Sequence, residues 1–443
     1  MCSVELALVP KLRRTSATTY EAVMKKIAIA TLSLSLIAPT AVARDVLEVD
    51  ANVATGVYTE IWTAVADAVD GDVILVASGT YQPFSITNKS IVVAERTNAQ
   101  VIVQEPVAVR GLDAGKEVVL HGLSIDARFF NTGNLVIEDC EGHVQLQDTT
   151  FFGNGNLLTL PSGLQSMVVV DNSSAVTFVD CTFDSRPKYS VFSGQVEPLD
   201  GVAALAIDSN LFIYGSEFYG ADSFRADSAS DPGLPGFAAL ELFGGSVLSF
   251  GSNFVGGIGG DGHTVFGNTN GGAGGSGIRL SMGRTTPTAV AHNTTLTGGL
   301  GGTGLAPAVS GETGDPVEVN AGSFATPSPS ATVRTLTVQP VASAGQTILV
   351  KFTGEPLDFL WVMVGTNVSS LAYMPELQGT IHPGGPAFFF QFQGTVNANG
   401  KKNQLVQLMP TGIDFVPVHL QGLTYNATDG FVASNPRFMA FLD

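Results

Sequence analysis

Apolar positions along the middle of the chain fall into a recurring eight-residue phrase: VVLHGLSI (Val118 to Ile125), VQLQDTTF (Val144 to Phe151), VTFVDCTF (Val176 to Phe183), LFIYGSEF (Leu211 to Phe218), VLSFGSNF (Val247 to Phe254) and AVAHNTTL (Ala289 to Leu296). In every copy the fifth residue is Gly, Asp or Asn, the sixth is usually small, and the eighth is Phe, Ile or Leu. This pattern suits a short strand that turns a corner and then points an apolar side chain inward. A unit so small cannot bury its own face, so copies must stack. In the three best copies a second alternating strand comes first: ALAIDSN (Ala204 to Asn210), ALELFGGS (Ala239 to Ser246) and GIRLSMG (Gly277 to Gly283). The intervals between phrases lengthen from 26 to 42 residues, and most hold no run of helical period. Gly and Asn corners with β-branched and aromatic strands predict an all-β solenoid, a parallel β-helix with coils about 4.8 Å apart and loops that lengthen on one side. Equivalent positions then form ladders, with Phe151, Phe183, Phe218 and Phe254 pointing inward.

Upstream, YTEIWTAVADAV (58–69) places Ile61, Trp62, Val65, Ala68 and Val69 on one helical face, predicting a helix that plugs the open end of the solenoid. It is followed by GDVILVASGTYQPFSITNKSIVVAER (Gly71 to Arg96). The order of short helix, Gly-Asp, apolar strand, Gly-Thr-Tyr and a strand ending in Ile resembles the opening of pectin-lyase-like, right-handed parallel β-helix proteins. The resemblance covers residues 45 to 300 and implies the right-handed form of the fold. It is specific for fold rather than activity, because this scaffold carries polysaccharide lyases, glycoside hydrolases, adhesins and non-catalytic surface proteins.

From Leu305 to Ser330 the composition shifts to Ala, Pro, Ser, Thr and Gly, which predicts the end of the β-helix at residue 304 and a linker over 305–330. Beyond it, apolar segments such as QTILVKF (Gln346 to Phe352), DFLWVMVG (Asp358 to Gly365) and AFFFQFQG (Ala387 to Gly394) alternate with Gly, Pro and Asn turns. These predict a small antiparallel β-sandwich domain over 331–443. The region resembles modules appended to secreted bacterial β-helix proteins, especially those of planctomycete type. The glycine-rich stretches Gly256 to Gly277 and Gly298 to Gly304 read as tight, adaptable loop insertions outside the core.

At the other end, MKKIAIATLSLSLIAPTAVA (Met24 to Ala43) combines two lysines, an apolar run, Pro39 and an Ala41-Val42-Ala43 cleavage site. It predicts a secretory signal peptide with a mature start at Arg44, residues 1–23 being an upstream extension. No later segment has the continuous apolar length of a membrane span. The mature chain carries 16 basic and 37 acidic residues, and 31 of the acidic ones lie in 44–330. So acidic a solenoid repels nucleic acid and anionic membrane surfaces, excluding both as partners. Its acidity fits solubility outside the cell, or divalent-cation binding along acidic loops.

Two cysteines follow the signal peptide, Cys140 and Cys181, both at the sixth place of a phrase if LVIEDCEG (Leu135 to Gly142) is an irregular extra copy. With VQLQDTTF between them, two rows would separate them by roughly 10 Å, which predicts buried thiols instead of a disulfide. On the same alignment the fifth position supplies Asp139, Asp148 and Asp180, a candidate carboxylate ladder for calcium. Asp in a corner also bonds its own backbone.

The family resemblance implies that a lyase would join acidic calcium ligands to a Lys or Arg that removes a proton beside a uronate carboxylate. The solenoid offers Lys116, Arg128, Arg186, Lys188, Arg225, Arg279 and Arg284. Asp126 with Arg128 and Asp184 with Arg186 sit at matching offsets beyond two phrases and are the catalytic candidates; as surface ion pairs they would be structural. Polygalacturonase-type hydrolases of this fold carry paired aspartates with Gly-His-Gly and Arg-Ile-Lys motifs. Here Gly260-Asp261-Gly262-His263 and Gly277-Ile278-Arg279-Leu280 hold fragments of these, without an Asp-Asp pair or the lysine. The expectation is an exported, monomeric, non-catalytic β-helix protein of the cell surface or extracellular matrix, binding a polysaccharide or cell-envelope glycan or acting as an adhesive spacer. The alternative is a polysaccharide lyase or glycoside hydrolase.

Overall fold

The computed structural model describes residues 45–52, 58–104, 106–126, 135–152, 158–159, 165–185, 201–223, 232–262, 269–304, 308–326, 332–368, 373–374, 378–384, 389–408 and 415–442. Each full coil contributes three strands, as in Leu135–Glu138, His143–Gln147 and Thr150–Phe152. Stacked in parallel, the coils build sheets of nine, ten and eight strands, the ninth strand of the first, Leu158–Thr159, being an antiparallel addition to Gln165–Asp171, so the chain is a parallel β-helix. The phrase sets its register residue by residue. Its first position pairs Val118 with Val144, then Val176, Leu211, Val247 and Ala289, and its eighth pairs Ile125 with Phe151, Phe183, Phe218, Phe254 and Leu296.

The fifth position is a left-handed corner in all six copies: Gly122, Asp148, Asp180, Gly215, Gly251 and Asn293 have φ between 45° and 69°. Only Gly, Asn and Asp take that conformation at little cost, which explains the restriction to these three types. Small polar residues follow because they close the corner. Thr149, Ser216, Ser252 and Thr294 donate their hydroxyls to the carbonyl two residues back at 3.0–3.2 Å. The Phe rings at position eight are buried and stacked, with centroids 4.3–4.8 Å apart.

The predicted N-terminal helix is Ile61–Asp67, and it closes the core with Ile61, Ala64, Val65 and Ala68. Trp62 and Val69, expected on its buried face, are instead half exposed. Trp62 lies about 100° around the helix from Ile61, and the helical backbone ends before Val69, Ala68 having ψ 143°. Lys89 Nζ caps the helix by donating to the carbonyls of Val65, Ala66 and Ala68.

Three expectations need correction. The β-helix does not stop at 304, because Val317–Val319 and Ser323–Ala325 extend two of its sheets inside the segment read as a linker. LVIEDCEG is not a copy of the phrase: Leu135–Glu138 belongs to the nine-stranded sheet, one strand earlier in the coil. Both corners use left-handed Asp, Asn or Gly, so the two look alike in sequence, and Asp139 stacks with Asn172 (2.8 Å) instead of with Asp148 and Asp180. Cys140 and Cys181 therefore sit at different corners, both buried free thiols.

The third correction concerns the glycine-rich insertions, whose described residues are packed structure. Gly257 and Gly260 donate to Phe237 and Leu234; Gly272 and Gly275 donate to Gly260 and Gly257; Gly299 and Gly302 donate to Gly275 and Gly272; Gly311 and Gly314 donate to Gly302 and Gly299, all at 2.8–2.9 Å. Hydrogen bonds that recur every third residue between extended segments describe a bundle of polyproline-II-like helices, which have three residues per turn. A Cβ on Gly272, Gly275 or Gly299 would lie 1.9–2.0 Å from a carbonyl oxygen of a neighbouring segment, that of Leu234, Phe237 or Gly257, so only glycine fits. The third residue of each triplet faces outward, as Ile258, Ala273 and Leu300 do.

Residues 332–442 form a three-stranded antiparallel sheet (Thr335–Thr337, Thr347–Thr353, Lys401–Gln407) and a five-stranded sheet (Val341–Ser343, Gly430–Leu442, Phe415–Asn426, Phe359–Gly365, Phe389–Thr395). Leu336, Ile348, Val350, Phe352, Leu360, Val362, Leu420 and Met439 form the sandwich core between them. A buried guanidinium, Arg334, ties the region together through Asp358 and Asp429, each at 2.7 Å. The sandwich packs on the β-helix: Phe438 and Ala440 lie against Val73, Leu75, Val92, Ala94 and Val119 on the outer face of the ten-stranded sheet. The two regions join in one compact unit, Val42–Asp443.

Candidate functional site

Outward positions of the ten-stranded sheet are the second and fourth residues of the phrase, and the sandwich covers many of them. Two polar clusters occupy this seam. In the first, Arg437 of the C-terminal strand donates from Nη1 to Asp148 (2.9 and 3.2 Å), from Nη2 to Asp180, and from Nε to the Leu336 carbonyl (2.8 Å). His121 Nε2 donates to Asp148 (3.2 Å), and the Phe438 N–H to Gln147 Oε1 (2.9 Å). Burial works against ionisation of Asp148, yet the His121 hydrogen bond and the Arg437 charge bring its carboxyl to about 2. For Asp180 burial prevails, and its carboxyl lies above the ordinary value despite Arg437.

In the second cluster, Glu117 accepts from His143 Nδ1 (2.9 Å) and from His419 Nε2 (3.0 Å), while His143 Nε2 lies 2.9 Å from the Thr177 hydroxyl. Burial would raise the Glu117 carboxyl, but the charge and hydrogen bonds of His419 and His143 hold it well below the carboxylate range. Nearby His382 is fully buried, and burial reinforced by the His143 and His419 charges keeps its imidazole well below the usual value. Glu117, His143 and Thr177 have the connectivity of an acid–base–hydroxyl triad. Thr177 is fully buried, however, which leaves no access for a substrate.

Between the seam and the solenoid corners runs an open groove of about 730 Å³. One wall is formed where the chain enters the ten-stranded sheet in five successive coils, at Asp72, Ser90, Lys116 with Glu117, Glu141 with His143, and Ser174. The other wall comes from Thr366, Asn367, Val368 and Pro417, with Phe438 beside them. This volume lies in the range of small-ligand sites.

The sequence candidates disperse. Asp148 and Asp180 do converge on adjacent coils, but the cation between them is the Arg437 guanidinium, and Asp139 lies at the other corner, so the three form no calcium ladder. Among the described residues no group of three or more His, Cys, Asp or Glu is disposed to hold a metal ion. Asp126 and Asp184 pair in register with Phe152 from either side, two coils apart, and both are buried. Arg128, Arg186, Lys188, Arg225 and His263 lie outside the described residues. Of the other bases, Lys116 pairs with Asp70 (3.0 Å), Arg279 with Glu318 (2.7 Å), and Arg284 lies 3.7 Å from Asp208. Asp261, in the hydrolase-like fragment, accepts from the Thr303 N–H and hydroxyl within the glycine bundle.

The residues missed from sequence are His143, His382, His419, Glu117 and Arg437. Their signal was indirect: Val119, Phe212, Tyr214, Leu248 and Phe250 are apolar at outward positions, which a solvated face would not hold.

No family model matches the sequence, and no curated protein resembles it significantly. Among solved structures, the pectate lyase Pel9A crystal structure is similar at 14% identity, covering 65% of this chain and 81% of its own, with a TM-score of 0.34. A superoxide reductase (neelaredoxin) from Ignicoccus hospitalis is similar at 12% identity over 25% of this chain and 80% of its own, with a TM-score of 0.16. Likenesses this slight carry no functional weight, and the β-helix assignment rests on the strand pairing itself. No helix among the described residues is long and apolar enough to cross a membrane.

Proposed function

We propose that the protein is an exported, non-catalytic β-helix protein of the cell surface or extracellular matrix that binds glycans as a single chain. The observation that carries the reading is the use made of the clustered titratable groups. Arg437 with Asp148 and Asp180, and His419 with Glu117 and His143, fasten one part of the molecule to another, and the hydroxyl in line with Glu117 and His143, that of Thr177, is fully buried. An open concavity beside them is lined by hydroxyls, an amide, carboxylates, Lys116 and His143, groups suited to a polyhydroxyl ligand. Export rests on the Met24 to Ala43 segment, and the planctomycete-type resemblance of the C-terminal region accompanies it.

A polysaccharide lyase or hydrolase is the second reading, favoured by the shared register of Asp126 and Asp184. The test is a polysaccharide panel incubated with the chain from Arg44 onward, scoring binding and release of unsaturated or reducing ends together. Binding without release is expected. Release that disappears in Arg128→Ala and Arg186→Ala would establish the lyase reading instead.

A further inference from the structure

The groove beside the seam has a geometry of its own. Five coils at ~4.8 Å intervals give its solenoid wall a length of about 19 Å along the axis. A polar residue stands at every step: Asp72, Ser90, Lys116 with Glu117, Glu141 with His143, then Ser174. Asp72 is buried, the Ser90 hydroxyl is taken up by the Glu117 backbone (3.0 and 3.1 Å), and the Ser174 hydroxyl donates to the Glu141 carbonyl (2.7 Å) with its lone pairs left to accept. A wall that repeats at constant intervals suits a linear ligand that also repeats, and a compact metabolite would use only part of it. The opposite wall adds the exposed Asn367 amide and the Thr366 hydroxyl.

The charges narrow the choice. Asp72 is occupied by the N–H groups of Asp45 and Val69 (2.9 and 2.8 Å), and Lys116 is neutralised by Asp70 at 3.0 Å. Glu117 faces the groove beside His143, and the Glu141 carboxylate is exposed. With Glu117 held by His143 and His419, the Glu141 carboxylate sets a negative balance, and among the described lining residues no unpaired lysine or arginine stands ready to receive a uronate or a sulfate. We propose that this groove binds a linear oligosaccharide without acidic groups, neutral or built of amino sugars, lying along the solenoid axis, with Ser174 and Asn367 bonding its hydroxyls and Glu141 its amines. The proposal rests on the glycan-binding reading above and adds the site, the direction of the chain and the exclusion of polyuronates.

Isothermal titration of the chain from Arg44 onward with cellohexaose, glucosamine hexamer and hexagalacturonate tests it. The first two should bind, and hexagalacturonate at least about tenfold more weakly. Ser174→Trp and Asn367→Trp, at exposed positions, should each weaken cellohexaose about tenfold or more with an unchanged melting temperature. Glu141→Gln should weaken the glucosamine hexamer and leave cellohexaose as it was. Hexagalacturonate binding as tightly as cellohexaose overturns the charge argument. Both tryptophan variants binding like the parent would place the glycan elsewhere, overturning the groove while the glycan-binding function survives. Silence of all three hexamers and of the polysaccharide panel would overturn the function itself.

Discussion

Arg437 and Asp148, 289 positions apart, meet across the seam with Nη1 2.9 Å from a carboxylate oxygen, and the same guanidinium reaches Asp180 one coil further on. Corner carboxylates on adjacent coils would repel each other without a cation between them. The sandwich supplies that cation from a strand whose next residue, Phe438, packs on the apolar half of the same sheet. Charge pairing and apolar burial thus fix the two parts in one register.

Removing the guanidinium while keeping an apolar stem, as in Arg437→Met, leaves Asp148 and Asp180 facing each other. Arg437 is buried but both aspartates are partly exposed, so the expected loss is about 1–3 kcal/mol, that of hydrogen bonds to charged groups. Neutralising both aspartates in the Met background should recover part of it. Urea unfolding measures both steps, and a loss below about 0.5 kcal/mol would mean that the pair does not hold the seam.

The seam should also weaken in acid. Glu117 and Asp148 have folded values below their ordinary 4.5 and 3.8, so each stabilises the fold above those values and loses its contribution as pH falls towards the folded value. His382, held neutral below its ordinary 6.5, favours the fold above 6.5 and opposes it below, where the unfolded chain takes up the proton. Asp180, raised above 3.8, works the opposite way, its contribution being present below 3.8 and lost as pH rises. Elsewhere His292 is lowered like His382, and the lowered Asp70 and Glu318 are set against the raised Glu95, Asp171 and Glu241, so the large shifts of Glu117 and Asp148 decide the sign: stability declines from neutral pH, first below 6.5 and more steeply below 4.5. Urea midpoints at pH 7.5, 5.5 and 3.5 check this. His382→Gln should reduce the first step, leaving the part due to His292, and an unchanged midpoint between 7.5 and 5.5 in the parent would remove the His382 contribution.

Local rules made much of the solenoid legible. The eight-residue phrase carries the left-handed corner, the inward eighth residue and the pairing register, because each depends on neighbours a few positions away. Arg437 and His419 could not be placed that way, since their partners lie 289 and 302 positions distant. Asp139 was misaligned because two different corners share one backbone conformation. Glycine-rich composition reads the same in a loop and in a packed bundle. Only the three-residue spacing in Gly-Gly-Ile, Gly-Gly-Ala and Gly-Gly-Leu distinguishes them.

Within the solenoid, Phe218 is stacked between Phe183 (4.3 Å) and Phe254 (4.8 Å) and is fully buried. Phe218→Ala opens a cavity that parallel neighbours above and below cannot collapse to fill. The expected cost is about 3–5 kcal/mol, read as a lowered denaturation midpoint. A melting temperature equal to the parent's would show that the ring is not part of the core ladder.

The glycine bundle gives the sharpest contrast between adjacent residues. A Cβ on Gly275 would meet the Phe237 carbonyl oxygen at 2.0 Å, whereas Ala273, two residues earlier, already carries an exposed methyl. Gly275 also links two segments, donating to Gly257 and accepting from Gly299. Gly275→Ala must therefore push neighbouring backbone apart and should cost roughly 1–3 kcal/mol, with faster amide exchange at Gly299, whose N–H bonds the Gly275 carbonyl, and at Gly257, whose N–H bonds the displaced Phe237 carbonyl. Ala273→Ser should stay within about 0.5 kcal/mol of the parent, as exposed substitutions do. If these segments are adaptable loops, the two variants will behave alike in both exchange and denaturation.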